Sequence, residues 1–335
     1  MRIAILRVAA AVAGLAVLAV IAGAGYEMIG RRDAARAFPP PGAMVDIGGR
    51  RIQLDCRGTG TPVVVFESGL DMNGSLSWAP VHDSIARTTR ACAYSRAGIM
   101  WSDPAHDPRT GKAIAEDLHA TLAKAGEAPP FVLVGHSMGG PDIMTYTKLF
   151  GAEVAGLVFV DASHPEQVTR FSAVLPLPDV RAITRHNKML AALSWTGLPR
   201  ALLSSRSGTQ PQPDRVRAAA AYAPTSLGTM LDESDATGET LAEAGAARQL
   251  GDRPLFVLTA MAPYSKSQLV QMRATKDKGR QYQDAWKQMH DEEASWSSRS
   301  QHQVVPDAGH YIQRDRPDVV IAAVRSVVDS VRAGR

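Results

Sequence analysis

The chain has 335 residues, 45% of them hydrophobic, which is ample for one large α/β domain once an N-terminal segment is set aside. Its formal net charge is +4, but the basic residues are dispersed, with no long run and no interleaved aromatics, which argues against a nucleic-acid partner. No Cys/His cluster has metal-ligand spacing and no Gly-rich phosphate loop occurs, so no metal and no cofactor is expected.

Arg2 and Arg7 precede an uncharged run, 8–26, dominated by Ala, Val, Leu and Ile. That length suits a single membrane-crossing helix. Residues 1–30 therefore read as a membrane anchor; a signal peptide cut around Ala22-Gly23-Ala24 is the competing reading, and the long apolar run favours the anchor. Arg31, Arg32 and Arg36 flank the far end as strongly as Arg2 and Arg7 flank the near one, so charge does not set the orientation. Residues 31–42 read as a linker carrying Phe38-Pro39-Pro40-Pro41-Gly42.

Strand candidates at 43–47 and 51–56 flank Gly48-Gly49, a hairpin signal. The apolar run 62–66 predicts a strand covered on both faces. A helix over 78–87, a strand at 90–94 and a helix over 113–125 follow, the last with Ile114, Leu118 and Leu122 on one face. A strand at 131–134, a helix over 141–150 and a strand at 157–160 complete this half. Between 163 and 251 the alternation breaks into a helix-prone stretch punctuated by Pro176, Pro178, Pro199, Pro211 and Pro213. Strands resume at 254–259 and 302–305, and a last helix, 318–331, points Val319, Val320, Ala323 and Val327 at the core. This order predicts an α/β domain: a mostly parallel sheet with helices on both faces, built from 43–162 and 252–335, with 163–251 as an inserted helical lid.

The pentapeptide Gly135-His136-Ser137-Met138-Gly139 lies between the strand at 131–134 and the helix after it. A strand, a sharp turn and a helix in that order lift one hydroxyl to the top of a sheet, and glycines on both sides remove the Cβ atoms that would clash there. Ser137 is thus a candidate nucleophile.

With this elbow in place the chain resembles the α/β-hydrolase superfamily, from about residue 43 to its C-terminus. Gly309-His310 follows the last strand candidate, where that family places its base. Arg96-Ala97-Gly98 with Trp101-Ser102-Asp103-Pro104 looks like the family's loop after the fourth strand. Ser95 stands where the family usually has Asp, a departure expected to touch loop structure. The resemblance implies an eight-stranded sheet with the lid after the sixth strand. In that fold Cys56 and Cys92 fall on antiparallel neighbours, where a disulfide is possible and would need an oxidising compartment; two buried thiols are the other reading.

His310 is the expected base, C-terminal to both serine and acid. His136 should point away from the serine and is read as structural. His164 is the second candidate base, read as a lid hinge. His82, His106, His119, His186, His290 and His302 are read as surface or packing residues. The family commonly carries its acid just after the seventh strand, but Thr259-Ala260-Met261-Ala262-Pro263 has no carboxylate, and Asp277 and Asp284 lie in a Lys/Arg-rich helical stretch beyond reach. Asp161, ending the sixth strand, occupies the position a minority of the family uses; the competing reading is that it only binds loop amides. The resemblance places the oxyanion-hole N–H groups on Met138 and on Leu70, after Ser68-Gly69. Asp71 and Asn73 are candidates for the pocket wall. Met189, Leu190, Leu193, Trp195 and Leu198 either line an apolar pocket or pack lid helices on the core.

These residues predict a serine hydrolase acting on a small-molecule acyl substrate, an ester or lactone, through an acyl-enzyme. Amide or C–C bond cleavage uses the same residues, and acyl transfer would follow if the lid excluded water. A Ser nucleophile argues against an epoxide hydrolase or haloalkane dehalogenase. A catalytically silent binding protein on the same fold would usually have lost the serine or the histidine. Anchor and cysteine pair together place the catalytic domain outside the cytoplasmic membrane, tethered or secreted.

Overall fold

Eight strands form one sheet in the order β1-β2-β4-β3-β5-β6-β7-β8. They are β1 (Ala43–Asp46), β2 (Arg51–Arg57), β3 (Val63–Glu67), β4 (Ala91–Ser95), β5 (Phe131–His136), β6 (Val154–Val160), β7 (Leu255–Ala260) and β8 (Ser300–Val305). The computed structural model describes residues 1–175, 187–204 and 212–334; Pro176, Pro178, His186 and Pro211 lie outside them. β2 is antiparallel to β1 and β4, and every other pairing is parallel. The eight-stranded α/β-hydrolase fold expected from the resemblance is the fold observed.

The central strands are apolar along most of their length because both faces are covered, with polar residues such as Glu67, Ser95 and His136 kept to their carboxyl ends. Successive side chains alternate between two cores. Val63, Val65, Phe131, Leu133, Leu157, Phe159, Leu255 and Val257 join one core. There they meet Leu118 and Leu122 of α3 (Gly111–Ala125) and Ile143 and Met144 of α4 (Gly139–Leu149). Val64, Phe66, Val132, Val134, Val158, Val160 and Leu258 join the other. That core is covered by Val81 and Ile85 of α2 (Ala79–Ala86) and by Val319, Val320, Val324 and Val327 of the C-terminal helix α12 (Pro317–Arg332). The four-residue spacing of Ile114, Leu118 and Leu122 and the capping Thr110 side chain explain why α3 forms and which face it buries. Cys56 and Cys92 face each other across β2 and β4 and are joined by a disulfide.

Between β6 and β7 the described residues form α5 (Gln167–Val174), a short 3-10 turn (Ser194–Thr196), α6 (Leu198–Ser204), α7 (Asp214–Asp235) and α8 (Thr237–Gly245). Between β7 and β8 lie α9 (Lys266–Gln271) and α10 (Lys276–Ala294), and α11 (Ile312–Asp315) precedes α12.

The N-terminal helix α1 runs unbroken from Arg2 to Ala37. Its most apolar 18-residue window has a mean hydropathy of 2.5, apolar and long enough to cross a membrane. The expected linker at 31–42 therefore shrinks to Phe38–Gly42. Residues 31–37 hold good helix formers and no breaker, and Glu27 pairs with Arg31 one turn on. Glu27 also accepts two hydrogen bonds from Arg200 of α6, at 2.7 and 3.1 Å.

Candidate active site

The site sits at the carboxyl ends of the parallel strands, where ligands bind in open α/β sheets. β5 ends at His136, and Ser137 takes a φ of +52°, the left-handed region that a side chain rarely adopts. Gly135 and Gly139 make this turn possible: a Cβ on Gly135 would stand 2.5 Å from the Gly139 carbonyl oxygen, and one on Gly139 would stand 2.5 Å from that of Glu67. The elbow therefore rests on its glycines, and it raises Ser137 at the entrance to α4.

Three residues far apart in the sequence form one chain of hydrogen bonds. The Ser137 hydroxyl lies 2.9 Å from His310 Nε2. His310 Nδ1 lies 2.7 Å from Asp161 Oδ2. Asp161 also has a positive φ, +47°, where β6 hands over to the following loop. Its other oxygen accepts the Ala260 N–H at 2.8 Å and the Trp286 indole N–H at 2.9 Å. Burial pushes the Asp161 carboxyl up, but the hydrogen bond and charge of His310, with help from the Ala260 amide, outweigh it and leave the group below its ordinary range. A carboxylate so held can fix the imidazole tautomer and stabilise the imidazolium, while the second ring nitrogen takes a proton from the hydroxyl.

At the end of β7, where the family commonly has its acid, Thr259 is buried instead. Its hydroxyl lies 2.7 Å from both His290 Nδ1 and His302 Nε2. Asp277, one of the carboxylates set aside as too distant, pairs with Arg280 on the surface.

His136 faces away from the nucleophile: its Nε2–H donates to the His310 carbonyl at 2.9 Å. Burial, then the neighbouring His310, push its pKa down to about 3, so it is neutral. His164 is buried, accepts the Glu166 N–H at 3.0 Å and packs near Trp296, outside the cavity.

The loop after β3 lies against the elbow. A Cβ on Gly69 would stand 2.9 Å from that of Ser137, so only glycine permits this approach, and Leu70 follows directly. Met138 is the N-cap residue of α4. Arg96, fully buried after β4, grips this loop from beneath. It donates to the Ser68 and Gly69 carbonyls at 2.7 and 2.8 Å and pairs with Glu67 and with Glu233 of α7. Asp71 does not line the cavity as expected. It turns back to accept the Asn73 N–H and the Ser77 hydroxyl, both at 2.7 Å, and so braces the loop. Asn73 is likewise absent from the cavity wall.

A cavity of about 570 Å³ opens over Ser137 and His310. Its aromatic wall is Phe171 of α5 stacked on Tyr282 (3.8 Å) and Trp286 (5.2 Å) of α10. Tyr264, Gln167 and Gln283 add neutral polar groups. The expected lid residues Met189, Leu190, Leu193, Trp195 and Leu198 do not reach this cavity. Met189, Trp195 and Leu198 are exposed, because their segment packs against α1 rather than over the sheet. Sequence reasoning missed Trp286, Tyr282 and Phe171. The spacing of Tyr282, Trp286 and His290 by four was the available signal, a stripe on one face of α10.

The model of the alpha/beta hydrolase family matches residues 48–323. The chain belongs to the alpha/beta hydrolase family. Among solved structures, this alpha/beta hydrolase is similar to a thermophilic esterase from Thermogutta terrifontis, at 18% identity and a TM-score of 0.60, covering 86% of this chain and 97% of that one. It is also similar to Est816, described as an N-acyl homoserine lactone degrading enzyme, at 19% identity and a TM-score of 0.56, covering 85% and 99%. At such identities the likeness is one of fold. Among curated proteins, one named "Probable transporter efuK" from Hormonema carpetanum is 35% identical over 130 residues, 36% of this chain. The chain spans 18% of that protein's length and 40% of an uncharacterised Bacillus subtilis relative's.

Proposed function

We propose that this alpha/beta hydrolase is a serine hydrolase that cleaves an uncharged carboxylic ester or lactone. The hydrogen-bonded chain from Ser137 through His310 to Asp161, with links of 2.9 and 2.7 Å, carries the reading. Ser137 Oγ attacks the substrate carbonyl as His310 Nε2 takes its proton. The developing oxyanion faces the N–H groups of Met138 and Leu70, the first at the positive end of α4. His310 then protonates the departing alkoxide. Water, deprotonated by the same imidazole, attacks the acyl-serine and frees the acid. Asp161, ionised and held by three donors, supports the imidazolium in both halves of the cycle.

Apart from the triad members, the described residues of the cavity wall are uncharged, so an ionised substrate would lose hydration without a partner among them. That favours a neutral ester or lactone. The insertion between β6 and β7, residues 163–251, serves as the lid; among its described residues Ser163, Gln167, Val168 and Phe171 line the cavity. α1 holds the enzyme on a membrane. Its unbroken course through Ala22-Gly23-Ala24 and the Glu27–Arg200 pair favour an uncleaved anchor over a removed signal peptide. The Cys56–Cys92 bond favours a catalytic domain on the oxidising side.

Hydrolysis of p-nitrophenyl esters of graded chain length, and of lactones, by purified protein tests the reading. Turnover that vanishes in Ser137→Ala supports it. Equal rates for wild type and Ser137→Ala would refute it.

A further inference from the structure

Where α1 leaves its apolar run, the inserted segment comes up against it unusually closely. The Thr196 carbonyl oxygen lies so near Gly23 that a Cβ there would stand 2.1 Å away. Gly197, at a φ of +72°, faces the Gly23 carbonyl oxygen in turn, where its own Cβ would come within 2.6 Å. Only a glycine pair permits this approach. Four residues along α1, Glu27 is locked to Arg200, and Trp101 and Tyr222 donate to the Phe38 carbonyl at 2.9 and 3.2 Å. The turn at Ser194–Thr196 is therefore fixed at the level of Gly23.

Gly23 lies within the apolar run 8–26 and precedes Glu27 by four residues, about 6 Å along the axis. The interfacial zone of a bilayer is roughly 5–7 Å deep on each side. A helix that crosses the bilayer up to Glu27 thus carries the 194–196 turn to the boundary between hydrocarbon and headgroups. The side chains that stand out there are apolar: Met189, Trp195 and Leu198 are 58, 54 and 44% exposed. The turn also satisfies its own backbone, as a lipid-facing segment must. Thr196 N–H donates to Leu193 at 2.9 Å, Gly197 N–H to Ser194 at 3.1 Å, and Ala201 N–H to Gly197 at 3.0 Å. Beyond it, the exposed Arg31, Arg32 and Arg36 stand on the next turns of α1, about 12–20 Å further along the axis, on the headgroup and aqueous side.

The geometry points to a second membrane-contact surface on the inserted segment, in which Trp195, with Met189 and Leu198, enters the interface of the same bilayer that α1 crosses. The occupant is lipid. The patch is continuous with the membrane helix, and an indole with a polar N–H and an apolar body suits that depth. This inference rests on the anchor reading above. Contact at two places, the helix and the turn, sets the tilt of the catalytic domain over the membrane.

The full chain in phosphatidylcholine vesicles, with bromines placed either just below the glycerol or near the bilayer centre, provides the test. Tryptophan emission is recorded for wild type and Trp195→Phe, after flotation has isolated the vesicle-bound protein. The expected result is stronger quenching by the shallow bromines, most of it lost in Trp195→Phe. Protein that floats with the vesicles but quenches identically with and without Trp195 would overturn the surface and leave the anchor intact, whether the patch is bare or covered by a second copy. Protein that does not float would overturn the anchor reading and this surface with it.

Discussion

Trp286 donates its indole N–H to Oδ1 of Asp161 at 2.9 Å, on the oxygen that His310 leaves free. Asp161, the proposed acid at the end of β6, thereby gains a neutral donor from α10, and the same ring stacks on Phe171 of the inserted segment. A hydrogen bond to a buried charge is worth about 1.5–3 kcal/mol. Trp286→Phe should therefore lower kcat by roughly 10- to 100-fold, with a smaller change in KM. Steady-state kinetics on a small ester checks it; a variant that changes KM alone would reduce Trp286 to a pocket wall.

Asp161→Asn keeps the size of the side chain but offers His310 a neutral partner. Loss of the acid in a serine–histidine–aspartate system costs roughly 10,000-fold in kcat. The expected profile is a kcat reduced by about that order with protein that remains folded by circular dichroism. Unchanged turnover would return Asp161 to the role of a loop ligand.

Glu233 of α7 holds the buried Arg96 guanidinium, which in turn holds the Ser68 and Gly69 carbonyls. Breaking one partner of a buried ion pair costs about 3–5 kcal/mol. Glu233→Gln should lower the melting temperature by several degrees and reduce kcat, because the loop presenting Leu70 loses its support. Thermal denaturation and turnover measured together test it; a stable, fully active variant would uncouple α7 from the loop.

His136 supplies a pH dependence with a definite sign. Its pKa falls from the usual 6.5 to about 3 on folding, chiefly through burial. Between those values the unfolded chain binds a proton that the native one excludes, so stability falls as pH drops from about 6.5 toward 3, by at most about 1.4 kcal/mol per pH unit. His136→Gln should flatten the curve of stability against pH by about one proton's slope in this window, as measured by urea unfolding. An unaltered slope would assign the effect to other buried histidines, such as His164, whose pKa burial lowers to about 4.

The sheet was legible in the sequence because its central strands are covered on both faces. Runs such as Val63–Phe66 and Leu157–Val160 leave no polar position to mislead. The hydrogen-bonded set of the candidate site was also legible: Ser137 and His310 from the elbow and from their order in the chain, and Asp161 from the absence of a carboxylate after β7. The cavity wall was not. Tyr282 and Trp286 sit in a Lys/Arg-rich helix whose charges mark its solvent face and mask the aromatic stripe opposite. Trp195 and Leu198 read as pocket or core because periodicity reports an apolar face without saying what covers it; here that face stands beside α1.

The most direct test of the account is intact-mass analysis after reaction with a fluorophosphonate probe at neutral pH. A single adduct is expected that maps to Ser137, is absent in Ser137→Ala and forms far more slowly in His310→Ala. A folded wild-type protein that takes no adduct, or one that carries it on another residue, would contradict it.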